Sequence, residues 1–359
     1  MKENNITEVE EENIANDNLK DTNKIKAVIK DEDNSQIPIP VDAEYVEGKE
    51  NTGLVIRYKN SEFVWIPVPV TADNNLYAKG TTKSMARKTD GSKDTNNRFN
   101  YKGVIYKFSG TGDSTTSVET TDYIEPSALE NTGLGDWCAD GYTQIKNHIE
   151  GMSGKTNEEI QVKWRKQLQE EYNAMIESVT KYGGFFVGRY ESSLNGTKVA
   201  SVANKIPLFA DDEQAKTWYG QYQKLKEFTS SSDKMQSNMM WDSQYDALFN
   251  WALQGDDKVK VNSKGNALHN LNRSTLLTRT TTETDTITET DTVNGLDRIN
   301  NVYDLEGSAF EWTQGVNQLA ARSYRGGGYS GAYAPAARRQ SAAYIASQYN
   351  GGRLSLHIK

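Results

Sequence analysis

Apolar residues recur every three or four positions through KTNEEIQVKWRKQLQEEYNAMIESVTKYGG, where Ile160, Trp164, Leu168, Tyr172, Met175 and Val179 fall on one stripe of a long helix. Gly183, just behind it, supplies a left-handed cap. The following FFVGRYE reads as a buried strand. A second helical stripe, Trp241, Tyr245, Leu248, Phe249 and Ala252, lies in MMWDSQYDALFNWAL. Stripes of this kind predict core packing and not a cofactor box. Upstream, IPIPVDAEYVEGKENTGLVIRYKNSEFVWIPVPV alternates β-branched and aromatic positions with polar ones, and Gly48, Gly53 and Asn60 break it into a β-hairpin or meander. Pro67 and Pro69 predict an edge position or the strand's exit, because proline has no N–H to give to a ladder.

Three stretches lack such patterning. Residues 1–36 are acidic and Asn-rich, with no aromatic residue before Tyr45, and predict a disordered acidic arm that buries too little surface to offset its ordering entropy. The alternative there is a short docking helix around NKIKAVIK. Residues 71–150 are rich in Thr, Asp, Asn, Gly and Lys, and predict an inserted set of loops with one short strand at GVIYKFSG. Residues 256–298 are polar again and carry the echo TETDT at 282–286 and 288–292, too short for a repeat architecture and consistent with a solvated β-ribbon. Hydrophobic residues are 36% of the chain and charged residues 25%, a balance that fits long solvated segments attached to a real core. The expected organisation is therefore the arm at 1–36 and one α+β domain over 37–359 with insertions at about 71–150 and 256–298.

Charge and cysteine narrow the chemistry. The net charge of −8 argues against general nucleic-acid affinity. It is unevenly spread: after Glu311 there is no acidic residue, while Arg322, Arg325, Arg338, Arg339, Arg353 and Lys359 follow, which predicts a basic patch. The single cysteine, Cys138, excludes an intramolecular disulfide and a thiol-rich metal site. Neither a secretory leader nor an apolar run of membrane-spanning length is visible, so the expectation is no membrane insertion, with display in a phage particle or at a cell surface reached by assembly.

Four motifs then stand in order: GGFFVGRYE at 183–191, NNVYDLEGSAFEWTQ at 300–314, RGGGY at 325–329 and GGRLSL at 351–356. Gly326, Gly327 and Gly328 permit close backbone approach or positive φ, and Trp312 is a large apolar plug whose N–H needs a partner. Arg325 and Arg353 suit buried forks pairing with a carboxylate or carbonyls, Asp304 or Glu311 being the candidate acids.

From Pro38 to Lys359 the order and spacing of these motifs resemble the formylglycine-generating (sulfatase-modifying factor) family, whose corresponding stretches commonly read G-F-x-x-G-x-Y-E, Y-D-M-x-G-N-x-x-E-W-T, R-G-G-S-[WY] and G-F-R. The resemblance implies a variant of the C-type-lectin-like fold with long loop insertions, and motif arginines that serve as scaffold. It also implies where catalysis would sit: catalytic members bind copper through paired cysteines shortly after R-G-G-S-[WY], where this chain has Gly331 and Ala336. Iron-dependent sulfoxide-forming relatives use a histidine cluster. Here His148, His269 and His357 show no metal-ligand spacing and read as solvent-exposed or terminal residues. The family's calcium, near its G-N-x-x-E-W block, meets Ser308 in place of the asparagine, leaving Glu311 as a candidate ligand. Catalytic residues, metal and cofactors are accordingly expected to be none, with a copper oxidase or iron-dependent sulfoxide synthase as the competing enzyme class.

With paired thiols excluded, the stretch RSYRGGGYSGAYAPAARRQSAAYIASQYNGGRLSL predicts recognition. Its flanks, Tyr324–Gly327 and Arg353–Leu356, complete a sheet, whereas between Tyr329 and Tyr349 the one large aliphatic residue is Ile345. Tyr329, Tyr333, Tyr344 and Tyr349 offer wide contact area at low rotamer cost, Ser330, Gln340 and Gln348 adaptable hydrogen bonds, and Arg338 and Arg339 charge. The expected partner is a protein or an anionic glycan receptor, with assembly into a larger particle, and a purely structural particle component is the third reading. The composition also resembles the variable proteins of diversity-generating retroelements, which place diversified residues in this part of a lectin-type scaffold.

Overall fold

The computed structural model describes residues 7–31, 35–68, 98–101, 104–107, 141–203, 205–252, 276–280, 286–290, 298–305, 309–316, 321–326 and 338–359. They make a mixed α+β protein. Strands β1 (Thr7–Glu8), β2 (Ile25–Lys30) and β3 (Gln36–Pro40) form an antiparallel sheet in that order. The meander β4 (Ala43–Glu47), β5 (Val55–Tyr58) and β6 (Ser61–Pro67) follows, then the hairpin of β7 (Arg98–Tyr101) and β8 (Val104–Lys107). Helices α1 (Tyr142–His148) and α2 (Asn157–Tyr182) lead into β9 (Gly184–Gly188), the hairpin β10 (Ser193–Asn195) and β11 (Lys198–Ala200), α3 (Leu208–Asp211) and α4 (Trp218–Glu227). After β12 (Met235–Met239) and α5 (Asp242–Ala252) come two more hairpins, β13 (Leu276–Thr280) with β14 (Thr286–Thr290) and β15 (Arg298–Ile299) with β16 (Val302–Tyr303). The last strands are β17 (Phe310–Val316), β18 (Ala321–Arg325), β19 (Arg338–Ala342), β20 (Asn350–Gly352) and β21 (Leu354–Ile358).

Two sheets position the site. The larger has six strands in the order β12-β21-β9-β6-β5-β4, all antiparallel. The smaller has the order β19-β18-β17-β20, with β17 and β20 parallel. Pro67 ends β6 opposite Gly184, and β6 lies between β5 and β9, so the proline marks the strand's exit and not an edge.

The α2 stripe is buried as its periodicity predicts: Ile160, Trp164, Leu168, Tyr172, Met175 and Val179 all lie in the core. Thr156 and Glu159 close a capping box, with Thr156 Oγ1 accepting from Glu159 N at 3.2 Å and Glu159 Oε2 accepting from Thr156 N at 2.8 Å. At the other end Gly183, at φ 81°, donates its N–H to Val179 O, a conformation that glycine adopts without a Cβ penalty. Trp164 packs edge-on against Trp218 and Tyr222 of α4, with ring centroids 6.2 and 5.0 Å away. Between the same helices, buried Glu171 accepts from the Tyr222 hydroxyl and from Lys226 Nζ, both at 2.5 Å, and from Gln167 Nε2 at 3.1 Å. Replacing Glu171 by Ala strands these donors and is expected to cost about 2 kcal/mol in urea-unfolding stability, whereas Glu171→Gln retains part of the network.

Three expectations need correction. The segment 1–36 is not a disordered arm from Thr7 onward, and NKIKAVIK is a strand, not a helix. Leu19, Ile25, Val28 and Ile29 are buried, β2 pairs with β3 straight across the proposed boundary at residue 36, and Asn16 Nδ2 donates to Lys181 O of α2. An average over a 36-residue stretch of acidic composition hides one apolar cluster that has a sheet and a helix end to pack against. The insertion expected over 71–150 stops earlier, because residues 141–150 include α1, whose Ile145 is buried together with Ile149 just beyond it. GVIYKFSG does supply a strand, β8, and Thr286 and Thr288–Thr290 of the TETDT echo stand on β14, the rest of the echo lying outside the described residues.

Candidate functional site

The smaller sheet carries the motifs. In β17, Glu311 stands opposite Arg325 of β18 and Gly351 of β20, and the loop to β21 begins at Arg353. Arg353 Nε and Nη2 both donate to Glu311 Oε1, at 2.8 and 2.5 Å, and Nη1 and Nη2 also donate to Gly188 O at 2.9 Å and Tyr303 O at 2.7 Å. One guanidinium thereby ties β17, β9 and the end of β16 together. Both partners are buried. Burial pushes the Glu311 carboxyl up while Arg353 pulls it down; the same contact, against burial, holds Arg353 above its ordinary range. The short charge-assisted bonds favour the ionised forms of both partners, against burial.

Arg325, equally buried, finds a different acid: its Nη1 donates to Asp242 Oδ1 at 3.1 Å, and Ser323 Oγ donates to the same oxygen at 3.0 Å. Asp242 opens α5, so this pair fastens β18 to that helix. Its guanidinium carbon lies 4.8 Å from the centre of the Tyr245 ring. Gly326, at φ 81°, takes the left-handed turn out of the strand. Arg322 is also buried, its guanidinium carbon 4.1 Å from the centre of the Trp218 ring and its Nη1 bonded to Gln314 O at 3.1 Å. Trp218 itself donates Nε1 to Thr313 O at 2.8 Å.

These placements settle several expectations. Glu311, not Asp304, is the acid paired with Arg353, so one oxygen of the candidate calcium ligand is committed to a cation. Glu191 lies nearby, accepting from Ala309 N at 2.9 Å, and burial first, then the Asp304 and Glu311 carboxylates, push its carboxyl well above the usual range. The basic patch is corrected: Arg322, Arg325 and Arg353 point into the protein, where carboxylates, carbonyls and rings hold them. Trp312 is the buried plug expected, set edge-on to Tyr324 at 5.6 Å, but its Nε1 makes no hydrogen bond. Of the histidines read as exposed or terminal, His148 is half-buried beside Gln144, and His357 is fully buried in β21 with neither ring nitrogen hydrogen-bonded. Among the described residues, no group of three His, Cys, Asp or Glu side chains is placed to hold a metal ion. His269, Ser308, Gly331, Ala336 and Cys138 lie outside the described residues.

The proposed contact residues divide into three groups. Tyr329, Ser330 and Tyr333 lie outside the described residues. Arg338, Arg339 and Gln340 belong to β19, in register opposite Arg325, Tyr324 and Ser323, so they stand on a strand at the sheet's edge and not in a loop. Tyr344 and Gln348 are exposed, Tyr344 at 40%, and Tyr349 is half-buried where the chain re-enters the sheet through Phe310 N donating to Tyr349 O. Sequence reading missed Asp242, which precedes Arg325 by 83 residues and carries no local sign of its partner. It also missed the anchoring of the 343–349 turn: Trp218 N donates to Ala343 O at 3.1 Å and Ser347 N to Lys216 O at 2.8 Å.

No helix among the described residues is long and apolar enough to cross a membrane. No family model, curated protein or solved structure matches the chain.

Proposed function

We propose that this chain is a non-catalytic recognition protein that presents residues 329–349 to a receptor from a scaffold of the C-type-lectin-like, formylglycine-generating-enzyme type. The observation that carries the reading is the division of labour along the acid-free stretch. Its flanking arginines, Arg325 and Arg353, are used up in buried ion pairs with Asp242 and Glu311, while the turn between β19 and β20 exposes Tyr344, Ile345 and Gln348. The two flanks are clamped and, among the described residues, the turn at 344–348 is exposed, which supports a face held in place before a partner binds. The receptor is a protein or an anionic glycan, read in the setting of a phage particle or a displayed surface protein.

The test screens the full chain against an anionic-glycan array and a panel of bacterial surface proteins, then repeats the positive pairs with Arg338, Arg339 and Tyr333 replaced by Ala. Binding is expected to weaken by about thirtyfold or more, the effect of losing about 2 kcal/mol at a hot spot, while each substitution moves stability by only about 0.5 kcal/mol. Unchanged binding, loss of folding, or stoichiometric copper or iron in the purified protein overturns the reading. Diversification is tested separately: the encoding locus is expected to carry a reverse-transcriptase gene and an imperfect repeat of the 3′ coding segment differing at template adenines.

A further inference from the structure

We propose that Asn195 is a site of spontaneous covalent modification, converting through a cyclic imide to aspartate and isoaspartate on the folded protein. The proposal is independent of the recognition reading. Asparagine is among the thermally labile side chains. A following glycine, having no Cβ, leaves the next backbone nitrogen open to the carboxamide. The chain has three such pairs, Asn195–Gly196, Asn294–Gly295 and Asn350–Gly351, of which Asn294–Gly295 lies outside the described residues.

The fold treats the other two in opposite ways. Asn195 and Gly196 are exposed at the tip of the β10–β11 ribbon, where the register, Asn195 opposite Lys198, leaves a loop of two residues, Gly196 and Thr197. Gly196 takes the left-handed φ of 65° that suits such a loop, and a Cβ there would meet no described atom within 4 Å. Asn195 belongs to the last pair of a three-pair ladder, so fraying of that pair alone frees its ψ and lets its carboxamide carbon reach Gly196 N. Asn350 and Gly351, in contrast, are buried in β20, opposite Phe310 and Glu311 of β17. Asn350 N donates to Ser347 Oγ at 3.1 Å, and Asn350 O accepts from Gln221 Nε2 at 2.7 Å. Reaction at Asn350 has to wait until β20 leaves its sheet.

In the step itself Gly196 N gives up its proton to solvent and bonds to Asn195 Cγ, the Cγ–Nδ2 bond breaks, and the amide nitrogen leaves as ammonia. Water then opens the five-membered imide at either carbonyl, giving aspartate or, with the main chain rerouted through the side chain, isoaspartate. Solvent water is the sole co-reactant. The product is tolerated where it forms, because the foot of the ribbon is fixed below the tip: Ser193 Oγ donates to Ala200 O at 3.3 Å, Ser192 N to Gly352 O at 2.9 Å and Leu208 N to Ser192 O at 2.8 Å. Burial first, then the like charge of Lys198, lowers the Lys59 ammonium, so a carboxylate formed opposite Lys198 relieves repulsion between two cations.

The experiment ages the full chain in buffer beside a sample kept unfolded in guanidinium chloride. Asn195 and Asn350 are followed by peptide mapping, with isoaspartyl methyltransferase and a labelled methyl donor marking isoaspartate. In the unfolded sample both are expected to convert at comparable rates, since each precedes glycine. In the folded protein Asn195 is expected to convert at least about tenfold faster than Asn350, and the aged protein to melt where the fresh protein does. Equal rates at the two positions in the folded protein overturn the selection by the fold. Asn195 inert when folded but reactive when unfolded overturns the site, because the ribbon tip then never reaches the geometry of the imide. A melting temperature that falls in step with conversion overturns the confinement of the change to the tip.

Discussion

Glu311→Ala is expected to lower the unfolding free energy by about 3–5 kcal/mol, the cost of leaving a buried cation without its counter-ion. Arg353 then keeps its hydrogen bonds to the carbonyls of Gly188 and Tyr303, stays buried, and has only the more distant Glu191 as a neighbouring acid. The double variant Glu311→Leu/Arg353→Met removes both charges at similar volume, and is expected to recover most of the loss. Urea denaturation of the single and double variants reads the difference directly. A single variant no worse than the double one would mean that the pair is not ionised in the folded protein. The effect is expected to extend beyond stability: with the pair broken, the end of the recognition stretch at Arg353 loses its tie to β17 and β9, so receptor binding and the Tyr344–Ile345 turn should weaken with it.

That pair also shows what a sequence can and cannot disclose. A glycine-flanked arginine and an acid beside a tryptophan are sufficient to expect a buried fork, and Glu311 was one of two acids open to that role. The helices over Asn157–Tyr182 and Asp242–Ala252 were equally legible, because periodicity is a local property; the first stripe is buried, as are Trp241, Tyr245 and Leu248 of the second. Asp242 was not legible as the partner of Arg325. It sits on the first turn of a helix whose apolar stripe explains its neighbours, and nothing short of the folded path brings it to β18. The acidic N-terminal stretch failed for a related reason. Composition argued against burial, yet β2 needs only to pair with β3 across one hairpin, Ile29 opposite Ile37, for Ile25, Val28 and Ile29 to become core.

Charge counting misled in the opposite direction. Six cations after the last acid suggested a surface field, but a formal charge says nothing of where its side chain points. Three of the six are internal struts. The residue types suggested an outward middle segment, because a run with so few large aliphatics offers little to a core layer; the structure describes the side chains of its last part, 341–349. The exposure of Tyr344, Ile345 and Gln348 agrees with that reading. The position of Ile345 does not follow from it, since a lone aliphatic in a polar run is the residue most readily assigned to the interior, and it is more exposed than Tyr344 beside it.

Stability is expected to fall by about 3 kcal/mol as pH drops from 6.5 to about 4, over and above the general acid effect, through one residue, His357. Burial depresses its ring from the ordinary 6.5 to about 4, with Lys359 adding a smaller push in the same direction. The unfolded chain therefore binds a proton in this window that the folded chain refuses. The sign follows: the contribution is complete above pH 6.5, is lost progressively as pH falls, and stops changing below about 4. Glu191 and Glu311, pushed upward by burial, act the other way, since the folded state holds their protons more tightly than the unfolded one. The comparison of wild type with His357→Leu isolates the histidine. Leu fills similar space opposite Gln236 and leaves no polar nitrogen unbonded in β21, so it is expected to match or exceed wild type at pH 8 and to lead by about 3 kcal/mol near pH 4. Parallel urea-unfolding curves from pH 8 to 4, with a constant gap between the two proteins, would show that the ring is not held neutral by the fold.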